Sequence, residues 1–298
     1  MRLVTFNKGG TDAIGALEPK TNTITDFSKA APNLPATMLG LIELGQSGLN
    51  QAAKAIKTGG DHALLDLSEV TLKAPIPQPR RDIMAVGRNY HEHAQEFHDS
   101  GFDATSGTTA VPEDPIIFTK ATTSVSGPFD PIPSYLDNTH STDYEGELAV
   151  IIGKAGRGIL KADAFQYVYG YSTSNDVTAR TLQHKHKQWF IGKSLDGYCP
   201  MGPVLLTREE AGNPDTFHLK TEVNGKLRQD SSCSALIFNI PTLIETISAG
   251  ITLLPGDIIV TGTPVGVGIG FDPPKFLVKG DVVKVTIEPI GSIENKVE

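Results

Sequence analysis

The chain has 298 residues, 39% apolar and 20% charged, enough to bury the core of one large domain or of a main domain with a small appendage. A formal charge of -8 without a basic stripe argues against a general nucleic-acid surface, and two distant cysteines, Cys199 and Cys233, make neither a disulfide scaffold nor a thiolate zinc site. No apolar run approaches bilayer-spanning length, and the start MRLVTFNKGG turns polar within a few residues; a cytoplasmic protein is expected, with the mitochondrial matrix as the alternative.

Thirty glycines and twenty prolines favour many turns and strands. In chain order, Leu3, Val4 and Phe6 form a first strand, Asn7 to Gly10 a turn, Ala13 to Leu17 a second strand and Thr23 to Asp26 a short third. Residues 36–58 carry apolar positions at helical spacing, which Gly45 and Gly48 divide into two helices. Leu65 to Ala74 reads as extended. The proline-rich PIPQPRRD at 75–82 suggests a boundary, giving a small α+β N-terminal domain over 1–75 and a larger strand-rich one over 76–298.

In the larger part, Ile83 to Val86 and Pro115 to Lys120 are strands, Tyr90 to Phe97 a helical turn, and the polar stretch 98–114 a lid candidate. Glu147 to Ile152 is a buried strand, Ala162 to Val168 a short helix and Tyr169 to Val177 an extended return. Asn224-Gly225 turns a hairpin between Phe217–Val223 and Lys226–Asp230. Ile240 to Ile247 is helical with Pro241 in its first turn; Ile258–Thr261, Phe276–Val278 and Val282–Ile287 are late strands.

DYEGELAVIIG at 143–153 is the most informative segment. On a strand, Glu145 and Glu147 point to one face with Cα atoms roughly 6–7 Å apart. Two carboxylates at the mouth of a buried strand repel each other and need a positive partner, and oxygen-only ligands favour magnesium, manganese or calcium over zinc. Asp176 in GYSTSNDVTAR is a possible third ligand; spacing alone equally allows a surface aspartate capping a turn. His93 and Glu96, three apart, share a helical face, either as a general base with an orienting carboxylate or as an ordinary surface pair. The cluster His184, His186 and Trp189 defines no metal site and suggests a partly exposed loop or a dimer contact.

Five stretches in order, VGRNYHEHAQE at 86–96, DYEGELAVIIG at 143–153, YGYSTSNDVTAR at 169–180, KSLDGYCPMGP at 193–203 and TGTPVGVG at 261–268, resemble the fumarylacetoacetate hydrolase superfamily. The resemblance implies a mixed α/β, strand-rich fold: a β-roll or β-sandwich catalytic domain, a small N-terminal α+β domain, and a homodimer. It implies magnesium or manganese, with calcium as a substitute, on Glu145, Glu147 and Asp176. It places the lid histidine and glutamate on His93 and Glu96, the active-site lysine on Lys193, and substrate contacts on Arg88, Asn89, Gln183 and Thr263.

The chemistry expected of such a site is enolate formation from a small 2-oxo acid, whose developing charge a divalent cation stabilises. The first expectation is hydrolysis of a C–C bond in acylpyruvate- or fumarylacetoacetate-like 2,4-dioxo acids, with His93 activating water. The alternatives are oxaloacetate decarboxylation or tautomerisation, and isomerisation of the 2-hydroxyhepta-2,4-diene-1,7-dioate type. A non-catalytic metal-binding scaffold comes last. Lys193 is expected to meet substrate, or else to be a surface lysine or a structural partner of Asp196; Arg180 is expected to be structural.

Overall fold

The computed structural model describes residues 1–102 and 110–298, so most of the lid candidate, 103–109, lies outside the described residues. The N-terminal region contains β1 (Arg2–Lys8), β2 (Thr11–Glu18), β3 (Thr23–Asp26), α1 (Phe27–Ala30), α2 (Met38–Glu43), α3 (Gly45–Thr58), β4 (Leu64–Asp66) and β5 (Thr71–Lys73). Then follow β6 (Ile83–Gly87), α4 (His91–Asp99), β7 (Ile116–Lys120), β8 (Val125–Ser126), β9 (Thr142–Asp143), β10 (Gly146–Ile152), β11 (Val168–Asn175), β12 (Thr178–Ala179), α5 (Arg180–His186) and α6 (Phe190–Lys193). The chain closes with β13 (Cys199–Thr207), α7 (Arg208–Ala211), β14 (His218–Val223), β15 (Lys226–Ser232), α8 (Ile240–Ser248), β16 (Ile258–Val260), β17 (Val282–Glu288) and β18 (Gly291–Lys296).

One long sheet runs in the order β4-β3-β2-β1-β13-β11-β10-β16-β6-β7, and a four-stranded sheet, β15-β14-β17-β18, packs beside it. Among the named strands of the described residues, pairing is antiparallel except for β16 with β6 and β13 with β8. The result is the mixed, strand-rich roll that the sequence resemblance implies. Because β1 pairs with β13, the sheet crosses the sequence boundary near residue 76 without a break.

The centre of the long sheet is buried on both faces. Along β10, Leu148, Val150 and Ile152 join a core with Phe217, Ile287 and α8, whereas Ala149 and Ile151 join one with α2 and α3 on the opposite face. A strand covered on both sides reads as the continuous apolar run LAVII, each large side chain contributing ~1.5–3 kcal/mol by burial. The helices that cover it are capped locally: Thr37 Oγ1 accepts the Gly40 N–H, and Asn239 Oδ1 accepts the Thr242 N–H.

Several expectations need correction. The break between α2 and α3 falls at Leu44, followed by Gly45 at φ +54° as the first residue of α3; Gly48 makes no break and lies inside α3, where the absence of a Cβ lets it pack on Leu41 and Leu44. Phe276–Val278 is not a strand, because Leu277 gives its N–H to Thr142 O from a loop. The short helix expected over Ala162–Val168 is present as a 3-10 helix, Lys161–Tyr167. Among the described residues no helix is long and apolar enough to cross a membrane.

Candidate active site

The site forms where β10 begins and β11 ends. The register pairs Gly146 with Asn175 and Glu147 with Ser174, and the Asp176 N–H continues the ladder to Glu145 O at 2.8 Å. Asp176 therefore lies opposite Glu145, while Glu145 and Glu147 share strand parity. All three carboxylates are buried, and each offers an oxygen within 4.8 Å of the others.

Lys193, the last residue of α6, places Nζ 2.8 Å from Glu145 Oε2 and 2.7 Å from Asp176 Oδ2. It is neither a surface lysine nor a partner of Asp196, since it is buried inside the acidic cluster. Arg180, at the start of α5, holds Asp143 Oδ2 through Nε at 2.9 Å and Glu145 Oε1 through Nη1 at 2.6 Å. Glu147 accepts the Gly262 N–H at 2.7 Å.

These contacts divide the carboxylates. Burial pushes the Glu147 carboxyl up, and the Asp176 and Glu145 charges push it further, well above the usual carboxylate range. Burial acts the same way on Glu145, but Lys193, Arg180 and His93 together outweigh it and hold that carboxyl low. For Lys193, desolvation is outweighed by Asp176 and Glu145, so its ammonium form is favoured. The carboxylate least served by the chain's own cations thus belongs to a compact set of hard oxygen donors. That set fits a divalent cation of the magnesium or manganese type.

A cleft opens onto the cluster. Arg88, His93, Gln183, Lys193 and Thr263 line it together with Glu145 and Glu147, and Phe97, Phe118 and Trp189 make an apolar wall. His93 Nδ1 lies 3.0 Å from Glu96 Oε2, and Glu96 Oε1 accepts the Gly266 N–H at 3.0 Å. Both side chains are nearly buried, so they are not a surface pair. Gln183 is one helical turn beyond Arg180 and accepts from its Nη1 at 3.3 Å. The Thr263 hydroxyl donates to Gly146 O and receives the Gln229 amide.

Asn89 is not among the cleft residues. It is buried, with its amide nitrogen donating to Phe238 O and Thr261 O and its oxygen accepting the Phe238 N–H, so it staples loops. Trp189, expected on a partly exposed loop or a dimer contact, is buried edge-on to Phe97 and Phe118 at ring distances of 5.9 and 5.1 Å. His184 and His186 are exposed as expected.

Sequence reasoning missed Asp143 and Lys120. Asp143 receives Arg180 and the Gly268 and Ile269 N–H groups; the only sign of it in the sequence is its place two residues before Glu145 in the same acidic segment. Lys120 ends the apolar strand IIFTK, where a terminal lysine ordinarily faces water, so nothing local marked it.

The family described as fumarylacetoacetate (FAA) hydrolase C-terminal matches residues 82–298. The chain is 52% identical over 286 residues to oxaloacetate tautomerase YisK of Bacillus subtilis (strain 168), covering 92% of each protein. It is similar to the solved fumarylacetoacetate hydrolase of Exiguobacterium antarcticum, with a TM-score of 0.80, 39% identity, and 100% and 99% of the two chains covered. It also matches maleylpyruvate hydrolase from Sphingobium sp. SYK-6, solved with manganese(II) and pyruvate, with a TM-score of 0.78, 32% identity, and 100% and 98% covered.

Proposed function

The chain belongs to the fumarylacetoacetate hydrolase family, and from that premise we propose that it is a divalent-metal-dependent tautomerase of oxaloacetate or a closely similar 2-oxo diacid. The observation that carries the reading is the convergence of the Glu145, Glu147 and Asp176 carboxylates with the His93–Glu96 pair at one cleft. The 52% identity to an oxaloacetate tautomerase ranks this reaction ahead of the hydrolysis first expected from the sequence.

Tautomerisation moves one proton from C3 and places one on the C2 oxygen, and no bond between heavy atoms breaks. Glu96 engages His93 Nδ1 and leaves Nε2 to take the C3 proton. Arg88, Arg180 and Lys193 bring positive charge to a cleft that must hold a dianion, and Gln183 adds a neutral hydrogen-bonding group. The aromatic wall of Phe97, Phe118 and Trp189 limits water at the reacting carbon. When bound at the triad, magnesium or manganese, with calcium as a substitute, supplies Lewis-acid polarisation of the 2-oxo group.

A second reading, hydrolysis of acylpyruvate-like substrates, is favoured by the likeness to the two hydrolase structures. It uses His93 Nε2 to activate water. The test is a panel of oxaloacetate enol, acylpyruvates and hydroxymuconate-type diacids, assayed with magnesium and manganese after removal of metal. Enol conversion without pyruvate release supports the tautomerase. Faster acylpyruvate cleavage selects hydrolysis, loss of carbon dioxide selects decarboxylation, and full activity after exhaustive chelation overturns both metal-dependent readings. The same proposal carries a cytoplasmic homodimer, with residues 1–75 as a small N-terminal domain and 76–298 as the catalytic one; light scattering of the purified protein gives the subunit count.

A further inference from the structure

Lys120 is a fully buried charge for which the mechanism has no use, and it does not line the cleft. Its ammonium reaches three acceptors: Asp176 Oδ1 at 2.6 Å, Val177 O at 3.2 Å and the carbonyl oxygen of Lys193. An ammonium has three N–H donors, so its capacity is filled. The acceptors come from two separate segments, the end of β11 and the end of α6, while Lys120 itself ends β7.

The carboxylate of Asp176 is thereby held through both oxygens, Oδ1 by Lys120 and Oδ2 by Lys193 Nζ at 2.7 Å. The same ammonium grips the backbone of Lys193, whose side chain closes the circuit. We propose that Lys120 is a positioning residue: it orients Asp176 as a ligand for the divalent cation and anchors Lys193 in the cleft, without touching substrate. The inference rests on the triad being a metal site.

Two effects of removing Lys120 have opposite signs, which makes the proposal testable. If Lys120 only neutralises charge, its loss leaves Asp176 more negative and strengthens cation binding. If it positions, its loss frees the Asp176 carboxylate to rotate and weakens binding. Partners that orient metal ligands change affinity by about 10–100-fold.

The experiment is calorimetric titration of the full-length, metal-stripped protein with manganese(II). Lys120→Met retains length and apolar stem and should bind about 10–100-fold more weakly while remaining folded by circular dichroism. Ser194→Ala is the control. It removes a neighbouring tie between the same segments, the Ala121 N–H to Ser194 Oγ bond at 3.0 Å, and should leave affinity essentially unchanged. Equal or tighter binding by Lys120→Met overturns the proposal, as does an equal loss in Ser194→Ala. Should Lys120→Met not accumulate as folded protein, Lys120→Gln carries the test with the same outcomes. Failure of the unmodified protein to bind manganese would instead refute the triad reading itself.

Discussion

Replacing Glu96 by glutamine tests the proton-transfer reading most directly. Glu96 accepts on two oxygens, from the Gly266 N–H at Oε1 and from His93 Nδ1 at Oε2, both at 3.0 Å. A carboxylate can do this and glutamine cannot, because it has one acceptor oxygen and one NH2 group. The Gly266 N–H is a fixed donor, so the glutamine oxygen turns toward it and the NH2 turns toward His93. The NH2 donates to Nδ1, and the ring proton is forced onto Nε2. The nitrogen that should receive the substrate proton is then blocked, although the shape of the site is unchanged. A positioned general base contributes about 10²–10⁴-fold, or ~3–5 kcal/mol of barrier, and that is the expected loss in kcat. The assay follows decay of oxaloacetate enol absorbance, with deuterium exchange at C3 by NMR as a second readout. Manganese affinity should hold, since Glu96 is outside the triad. A Glu96→Gln enzyme within about threefold of the native kcat refutes the reasoning.

Three further outcomes follow from the packing and the charges. Gly87→Ala places a Cβ into the ring of Trp189, the sole tryptophan, and should cost ~1–3 kcal/mol in urea unfolding with a shift in intrinsic fluorescence; an unchanged emission spectrum contradicts it. Glu147 has a raised folded value, so its contribution to stability is present below the ordinary 4.5 and is lost as pH rises through the folded value. Glu147→Gln should remove that loss: in chelator its melting temperature falls less with rising pH than the native one, and parallel pH profiles would count against the buried-carboxyl reading. Burial pushes the Cys199 thiol to about 11 and the Cys233 thiol to about 12. The unfolded chain therefore loses these protons first, and stability should decline as pH climbs from 9 toward those values. Neither thiol should react with a thiol reagent before unfolding; prompt labelling of native protein would exclude their burial.

Local pattern made much of the architecture legible. The hairpin at Asn224-Gly225 and the start of α8, with Pro241 in its first turn, depend on local chemistry within a few residues, and they appear where the sequence places them. Phe276–Val278 is apolar without being a strand: Leu277 gives its N–H to Thr142 O on β9, and this single bond is not repeated into a ladder. Trp189 misled for a similar reason. Its neighbours Lys185, His186 and Lys187 are polar, but the ring turns inward to fill the gap left by Gly87.

By itself the sequence determined that Glu145 and Glu147 face one way, because side chains on a strand alternate with a period of two, and that His93 and Glu96 meet on one turn of helix. Spacing did not choose the third carboxylate, which motif resemblance placed at Asp176; only the tertiary structure brings that side chain to the pair. The β10–β11 register sets Asp176 opposite Glu145, and register depends on the whole sheet rather than on spacing within either strand. The cations followed the same rule. Lys120, Arg180 and Lys193 come from three elements whose side chains converge only after the sheet is assembled; motif resemblance marked Lys193, but charge compensation of a buried cluster acts through space, so spacing along the chain gave no sign of Lys120.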